Sequence, residues 1–405
     1  MLKNVTSYDE LAKALHILFA IIVSLFLYFH LLSDQCDLYI FSNIKSPTLI
    51  ETVKQFEDKY DIKIKLTYNE DVDITDENIK KLATSSNPPD IIISRNYFLS
   101  SETENKYLKK LDEVNTSKCF TNIIKTFTKD EKYAIPYRFF LPILGTHNQD
   151  ELNNIKNTND IVKMVKKYSP IRGLELLDNR DLVSGIAFNS ANSVHEILYF
   201  SNYNDIWLNG FDKENMARFL TNTKHIIQYN DLPVVDNKED CNINNSMANY
   251  INSNAMFFCE IINRTDNLAA GFWDVENKKD SFGFIRPVPN GANSIYIPSC
   301  IVMALENTKN EYIIDFIDLL FSEEIQSLNL PDGIAVNRNS FKSELETAEK
   351  MYHSFIKSDI EKMVLDLEPV IIDEKIYDKV WEIACAFYIG NISLEETVIK
   401  ISAII

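Results

Sequence analysis

From Asp37 onward the sequence alternates short apolar runs of strand length with longer stretches whose apolar residues recur at helical spacing. That rhythm points to a layered α/β fold. Leu38–Phe41 (LYIF) is wholly apolar, as expected of a strand buried on both faces. Ser46-Pro47 then supplies an N-cap with proline at the first helical position, and Leu49, Ile50, Val53 and Phe56 follow on one helical face. Ile62-Lys63-Ile64-Lys65-Leu66 alternates strictly, which predicts a strand with one wet face. Asn78 to Ala83 reads as a helix end stopped by Pro88-Pro89, and Asp90-Ile91-Ile92-Ile93 as the next buried strand. Near the other end, Ser299 to Leu305 (SCIVMAL) is strand-like. Thr308 and Glu311 form a candidate capping box for a helix carrying Ile313, Phe316, Leu319, Leu320 and Leu328 on one side. Residues 147 to 280 are helix-rich, and residues 376 to 405 read as two helices broken at Gly390. Strand–helix units at both ends, with a helical insert between them, predict a lobe assembled from discontinuous segments.

At 405 residues the chain exceeds what one compact core accommodates and fits a two-domain organisation. Its 41 Lys+Arg against 59 Asp+Glu give a net charge of −18, which repels nucleic-acid phosphates and anionic headgroups and makes neither a partner. Glycine is scarce, and even the nearest pair, Gly283 and Gly291, is too widely spaced for a Gly-x-Gly-x-x-Gly or Walker-type phosphate loop. The six cysteines, Cys36, Cys119, Cys241, Cys259, Cys300 and Cys385, contain no Cys-x-x-Cys pair, which argues against a zinc ribbon or thioredoxin-type site. Cys241 and Cys259 are the nearest pair in sequence should an exported domain form a disulfide.

Leu15 to Leu32 (LHILFAIIVSLFLYFHLL) carries no charge, and its 18 residues span roughly 27 Å at about 1.5 Å per residue, enough to cross a hydrocarbon core. Ser7 and Glu10 make a plausible capping box before it. A long start containing Asp9 and Glu10, with no Ala-x-Ala after the apolar run, disfavours a cleaved signal peptide. Ser33-Asp34-Gln35 is a poor lipobox before Cys36, so lipidation there is the lesser alternative. The expectation is an uncleaved signal anchor: residues 1–13 cytoplasmic, 14–33 transmembrane, and 37–405 outside. Lys3 and Lys13 before the segment, with Asp34 and Asp37 after it, agree with the positive-inside rule.

The order of these signals resembles the family 1 extracellular solute-binding proteins, the maltose-binding-protein-like group, over nearly all of residues 37–405. LYIFSN resembles the family's first strand and the turn that faces the ligand, and TLIETVKQFEDKYDIKIKL its first helix and second strand. NPPDIII is similar to the Pro-Asp-apolar strand that ends at the binding cleft, KYAIPY to a Tyr-x-x-Pro signal, and LGTHNQDEL to the strand leaving the hinge. SNAMFFCEI, GFIRPVPNG, IVMALENTKNEYIIDFIDLLFSEEIQ, LPDGIAVNRNSF and YIGNISLEETV resemble later family segments in the family's order. The resemblance implies a periplasmic-binding-protein-like type II fold. Its two discontinuous α/β lobes would be joined by a hinge, lobe 1 about 37–140 and 285–335, lobe 2 about 141–284 and 336–405. It further implies a small-molecule solute bound between them, no cofactor, and ABC transporter permease subunits as partners.

Ser42 and Asn43 follow the first strand, and Arg95, Asn96 and Tyr97 follow the Asp90–Ile93 strand at the same edge, where ligands of α/β sheets bind. Tyr137 and Arg138 follow the family-like proline and are candidates for ligand contact or hinge packing. By the resemblance, Tyr377 falls where sugar-binding members carry a stacking aromatic, a suitable surface for pyranose C–H groups. After the Ala-Met strand such members often place another aromatic, but Ile262 and Asn263 stand there; Trp273 is a substitute, with Glu260 and Arg264 as nearby polar candidates. The sequence therefore leaves open a carbohydrate-like solute, a polyamine suited to the acidic balance, or a sensor or scaffold that uses the fold without transport. It gives little support to an enzyme: His195-Glu196 lacks the second histidine of a metalloprotease motif, since Tyr199 stands there, and no Gly-x-Ser-x-Gly occurs.

Overall fold

The computed structural model describes residues 36–125, 132–167, 186–187, 190–207, 210–230, 232, 234, 257–270, 272, 281–290, 293–358 and 360–404. The apolar segment 14–33, Cys241 and Trp273 lie outside these. Among the described residues no helix is long and apolar enough to cross a membrane.

Three parallel strands form the start of the sheet: β1 (Leu38–Ser42) lies between β2 (Ile64–Tyr68) and β3 (Ile91–Ser94). β3 pairs antiparallel with the far half of β9 (Asn293–Ala304), which pairs antiparallel with β4 (Ala134–Thr146). The order is thus β2-β1-β3-β9-β4, with the short β10 (Ile334–Ala335) on the outer side of β4. The continuous apolar runs read from the sequence are sorted by the pleat onto two faces. Leu38, Ile40, Ile91, Ile93, Val302 and Ala304 enter one core, while Phe41, Ile92, Ile301 and Met303 enter another on the opposite side.

β4 and β9 are the longest strands, and each continues into a second group of strands. There the distal half of β4 pairs with β6 (Phe257–Ile262) and β7 (Ser281–Pro287); β5 (Ile186–Ala187) and β11 (Ser354–Ile356) add at the two edges. β8 (Pro289–Asn290) and β12 (Leu367–Pro369) pair with the first half of β9. Over this second group lies a separate core built from the helices Ala191–Trp207, Lys213–Tyr229, Glu374–Tyr388 and Leu394–Ser402. The last two helices are separated at Gly390, whose φ of 86° suits a residue without a Cβ.

Local chemistry explains most boundaries. Ser46 caps the helix Pro47–Tyr60 by accepting from Leu49 N at 3.0 Å, with Pro47 at the helix start. The buried stripe of that helix is Thr48, Leu49, Thr52 and Phe56, whereas Ile50, expected to face inward, is 57% exposed. The stripe is turned because Thr48 is held inward by Asp332, which accepts both its N–H (3.0 Å) and its hydroxyl (2.8 Å). The capping box expected from Thr308 and Glu311 does not form. Thr308 donates instead to Leu305 O, and Asn310 Oδ1 accepts from Tyr312 N at 3.0 Å, so the helix Tyr312–Leu320 starts later and Leu328 lies beyond its end. β2 also departs from a simple wet–dry alternation: Lys65, Leu66 and Tyr68 are all exposed, because this strand forms the sheet edge.

Candidate functional site at the carboxyl edge of the sheet

The helix after β1, Pro47–Tyr60, packs through Leu49 and Phe56 on one face of the sheet. The helix after β2, Asp76–Ala83, packs through Ile79 and Ala83 on the other. Because successive connections leave to opposite faces, the strand order reverses between β1 and β3, and the region outside their carboxyl ends is the crevice position where open α/β sheets bind ligands. Ser42 and Asn43 stand on its β1 side, and Arg95 and Asn96 on its β3 side.

Within the crevice Ser42 Oγ donates to Ile44 O at 2.6 Å and accepts from Ile44 N at 3.2 Å, which turns the chain sharply. Asn43 is 7% exposed; its backbone N donates to Ile93 O and its Nδ2 donates to Val72 O at 3.1 Å. Its Oδ1 is buried and has no hydrogen-bond partner, an uncommon state for a buried amide oxygen. Ser94 Oγ reproduces on β3 the turn made by Ser42, donating to Asn96 O and accepting from Asn96 N. Arg95 is exposed at the rim, near enough to Tyr68 to oppose the rise in its pKa that hydrogen bonding to Glu70 causes. Tyr68 itself donates to Glu70 Oε2 at 2.5 Å, and the Lys45 ammonium lies 5.1 Å from its ring centre.

The helix Glu374–Tyr388 reaches this rim from the second group of strands, where Lys375 Nζ bonds the Asp73 carboxylate. Tyr68, Glu70, Asp73 and Lys375 were not singled out by sequence reasoning. The rule that selected Asn43 and Arg95, a polar residue just past a strand end, also selects the residues after β2; nothing local in the sequence marks Lys375.

The remaining expected contacts lie elsewhere. Tyr97 is buried beneath the edge and donates to Glu104 Oε1 at 2.5 Å; burial pushes its phenol pKa up. Tyr137 and Arg138 are wholly buried within the sheet. Tyr137 donates to Ser46 Oγ at 2.9 Å, while Arg138 donates to Thr48 Oγ1 at 3.0 Å and to the carbonyls of Gly333, Ile325 and Leu328. Glu260 lies opposite Ile143 in β6, and Arg264, just past that strand, pairs with Asp266 at 2.7 Å. Tyr377 is packed in the second core, its ring centre 5.1 Å from Tyr199 and 5.7 Å from His195, with its hydroxyl 3.4 Å from Asn192 Oδ1. His195 is enclosed by the same rings, its Nδ1 2.8 Å from the Tyr388 hydroxyl. Among the described residues no group of three or more His, Cys, Asp or Glu side chains is arranged to hold a metal ion.

The fold is similar to that of a family 1 extracellular solute-binding protein from Alicyclobacillus acidocaldarius, with a TM-score of 0.57 and 13% identity, covering 90% of this chain and 95% of that one. It is similar also to maltose-bound MalE3 of T. maritima, with a TM-score of 0.55 and 12% identity over 90% and 98% of the two chains. Thiaminase I from Bacillus thiaminolyticus matches as well, with a TM-score of 0.53 and 11% identity over 87% and 99%. At such identities the likeness establishes the fold alone, and the thiaminase shows that this fold also carries enzymes. Among curated proteins none matches the sequence. A sequence model of bacterial extracellular solute-binding proteins, however, matches residues 51–330, which takes in β2, β3 and both long strands but not β1, Ser42 or Asn43. The chain belongs to the bacterial extracellular solute-binding proteins.

Proposed function

We propose that this chain is the receptor of an ABC-type importer, which captures a carbohydrate-like solute between two hinged lobes and releases it unchanged to the permease. The observation that carries this reading is the buried, unpartnered Oδ1 of Asn43 at the β1/β3 crevice. An unmet buried acceptor costs about 1–3 kcal/mol, and a solute hydroxyl or N–H that reaches it removes that cost in the bound state. Ser42, Asn43, Arg95 and Asn96 supply polar groups around one opening, and the exposed ring of Tyr68 offers an apolar surface beside them.

The lobes are residues about 37–140 with 285–335, and about 141–284 with 336–405; β4 and β9 are the crossing strands. A solute that touches both lobes only when they are closed drives closure by population shift. The contact of Lys375 with Asp73 is the ion pair that such closure makes. The sugar assignment draws support from solved neighbours of this fold in complex with acarbose, maltose and maltotetraose. Glu70, Asp71 and Asp73 along the β2 rim favour a second reading, a polyamine bound through its ammonium groups.

Residues 14–33 hold the domain to the outer face of the cytoplasmic membrane in this reading, with residues 1–13 inside. Retention of the full chain in membranes after alkaline carbonate extraction is expected; its release into the supernatant overturns the anchor. For the solute, the test is thermal unfolding with maltotetraose, acarbose or spermidine. A ligand at 100 times its Kd adds about 2.7 kcal/mol, a clear rise in Tm. Stabilisation by either saccharide supports the sugar reading, by spermidine alone the polyamine reading, and by none of the three counts against a transport receptor.

A further inference from the structure

Away from the crevice, and sharing no residue with it, a cavity of about 340 Å³ opens between β7, the helix Gln149–Asn154 and the residues Ser358, Lys362, Met363 and Asp366. We propose that it is a second binding site, for a small organic anion that carries a carboxylate or phosphate on an apolar body. Arg286 lines the cavity from β7 and is partly buried. One of its Nη atoms donates to Ile155 O, and no carboxylate among the described residues forms an ion pair with it. Burial holds its pKa below the ordinary guanidinium value with no opposing charge to offset the effect.

A desolvated guanidinium without a carboxylate is costly, and its remaining N–H groups form a fork suited to an oxyanion. Lys362 stands exposed at the same cavity, and Asp366 lines it too, so among the described lining residues two cations face one acid, in a chain of net charge −18. The other walls decide the rest of the ligand. Leu152, Phe284 and Pro287 give an apolar lining next to the charges, and the volume lies within the range of small-molecule sites. An anion with a compact hydrocarbon portion fits this combination better than a bare inorganic ion.

Isothermal titration of the full chain with benzoate, acetate and inorganic phosphate tests the proposal. Benzoate is expected to bind more tightly than acetate or phosphate, and to lose at least tenfold in affinity in both Arg286→Gln and Lys362→Gln. Asn43→Ala, in the crevice, is expected to leave benzoate binding unchanged, so this test stands or falls apart from the receptor reading. Lys362 is exposed, so its replacement keeps the result interpretable even where Arg286→Gln loses stability with the Ile155 contact. Binding of phosphate without benzoate overturns the organic-anion assignment. Absence of binding by all three, or benzoate binding that survives both substitutions, overturns the site.

Discussion

Lys375, at the start of the helix Glu374–Tyr388, bonds Asp73, which lies 302 residues earlier on the loop after β2. Lys375 is largely in water and Asp73 about a third exposed, at 72% and 36%, and solvent-accessible pairs of this kind add little to global stability. The contact instead joins the two groups of strands at the rim of the crevice. Lys375→Gln is expected to leave the Tm almost unchanged while increasing the radius of gyration of the ligand-free protein in small-angle scattering. An unchanged radius would mean that the bridge does not hold the halves together.

Arg138 has the opposite character. It is wholly buried and donates to Thr48 and to the backbone carbonyls of Ile325, Leu328 and Gly333, while Asp332, next to Gly333, fixes Thr48 and Ser46. Arg138→Ala leaves a cavity and strips those carbonyls of their donor. A loss of about 3 kcal/mol or more in denaturant-measured stability is expected. A loss below about 1 kcal/mol would show that water replaces the guanidinium.

Gly333 completes the same knot. Its φ is 136°, and a Cβ there would lie 2.4 Å from Ser299 Oγ and 2.9 Å from Arg138 Cβ. Gly333→Ala combines a disfavoured backbone with overlap in a packed site and should cost about 1–3 kcal/mol. Thermal unfolding that matches the parent protein would contradict the packing described.

Glu344, on the helix Arg338–Tyr352, is a partly buried acid with one satisfied oxygen. Oε2 accepts from Thr265 at 2.7 Å, whereas Oε1 has no partner, and desolvation raises its pKa. With the folded pKa above the unfolded one, the folded state holds the extra proton between the two values. The contribution of Glu344 to stability is therefore fully present below the unfolded pKa and is lost as pH rises through the folded pKa. Glu344→Gln should raise the Tm by roughly 2–4 °C at pH 7 and leave it unchanged below about pH 4. A drop in Tm at neutral pH would mean that the carboxylate is stabilised, by Arg138 and Arg264, more than it is desolvated.

Much of this architecture is legible in the sequence because short-range chemistry determines it. LYIF and DIII read as strands buried on both faces and are so, and Ser46-Pro47 opens a helix where it should. Gly390 separates the last two helices as its freedom at positive φ allows. What the sequence hides is set at long range. Ile50 turns outward because Asp332, far along the chain, holds Thr48 inward, and Leu66 is exposed because β2 has a neighbour on one side alone. The candidate site divides in the same way. Asn43 and Arg95 follow from the rule that polar residues past strand ends meet ligands, whereas the Lys375 contact depends on how distant segments dock. Tyr137 and Arg138 have the composition of ligand groups, and burial commits their polar atoms to the protein itself.

The most direct test is calorimetric titration of maltotetraose into the parent chain and into Asn43→Ala, with unfolding measured on both. The expected result is saturable binding that weakens at least tenfold in the variant, while stability falls by no more than about 1 kcal/mol from the lost Val72 contact. Equal affinity in the two proteins would contradict a solute seated at the β1/β3 crevice.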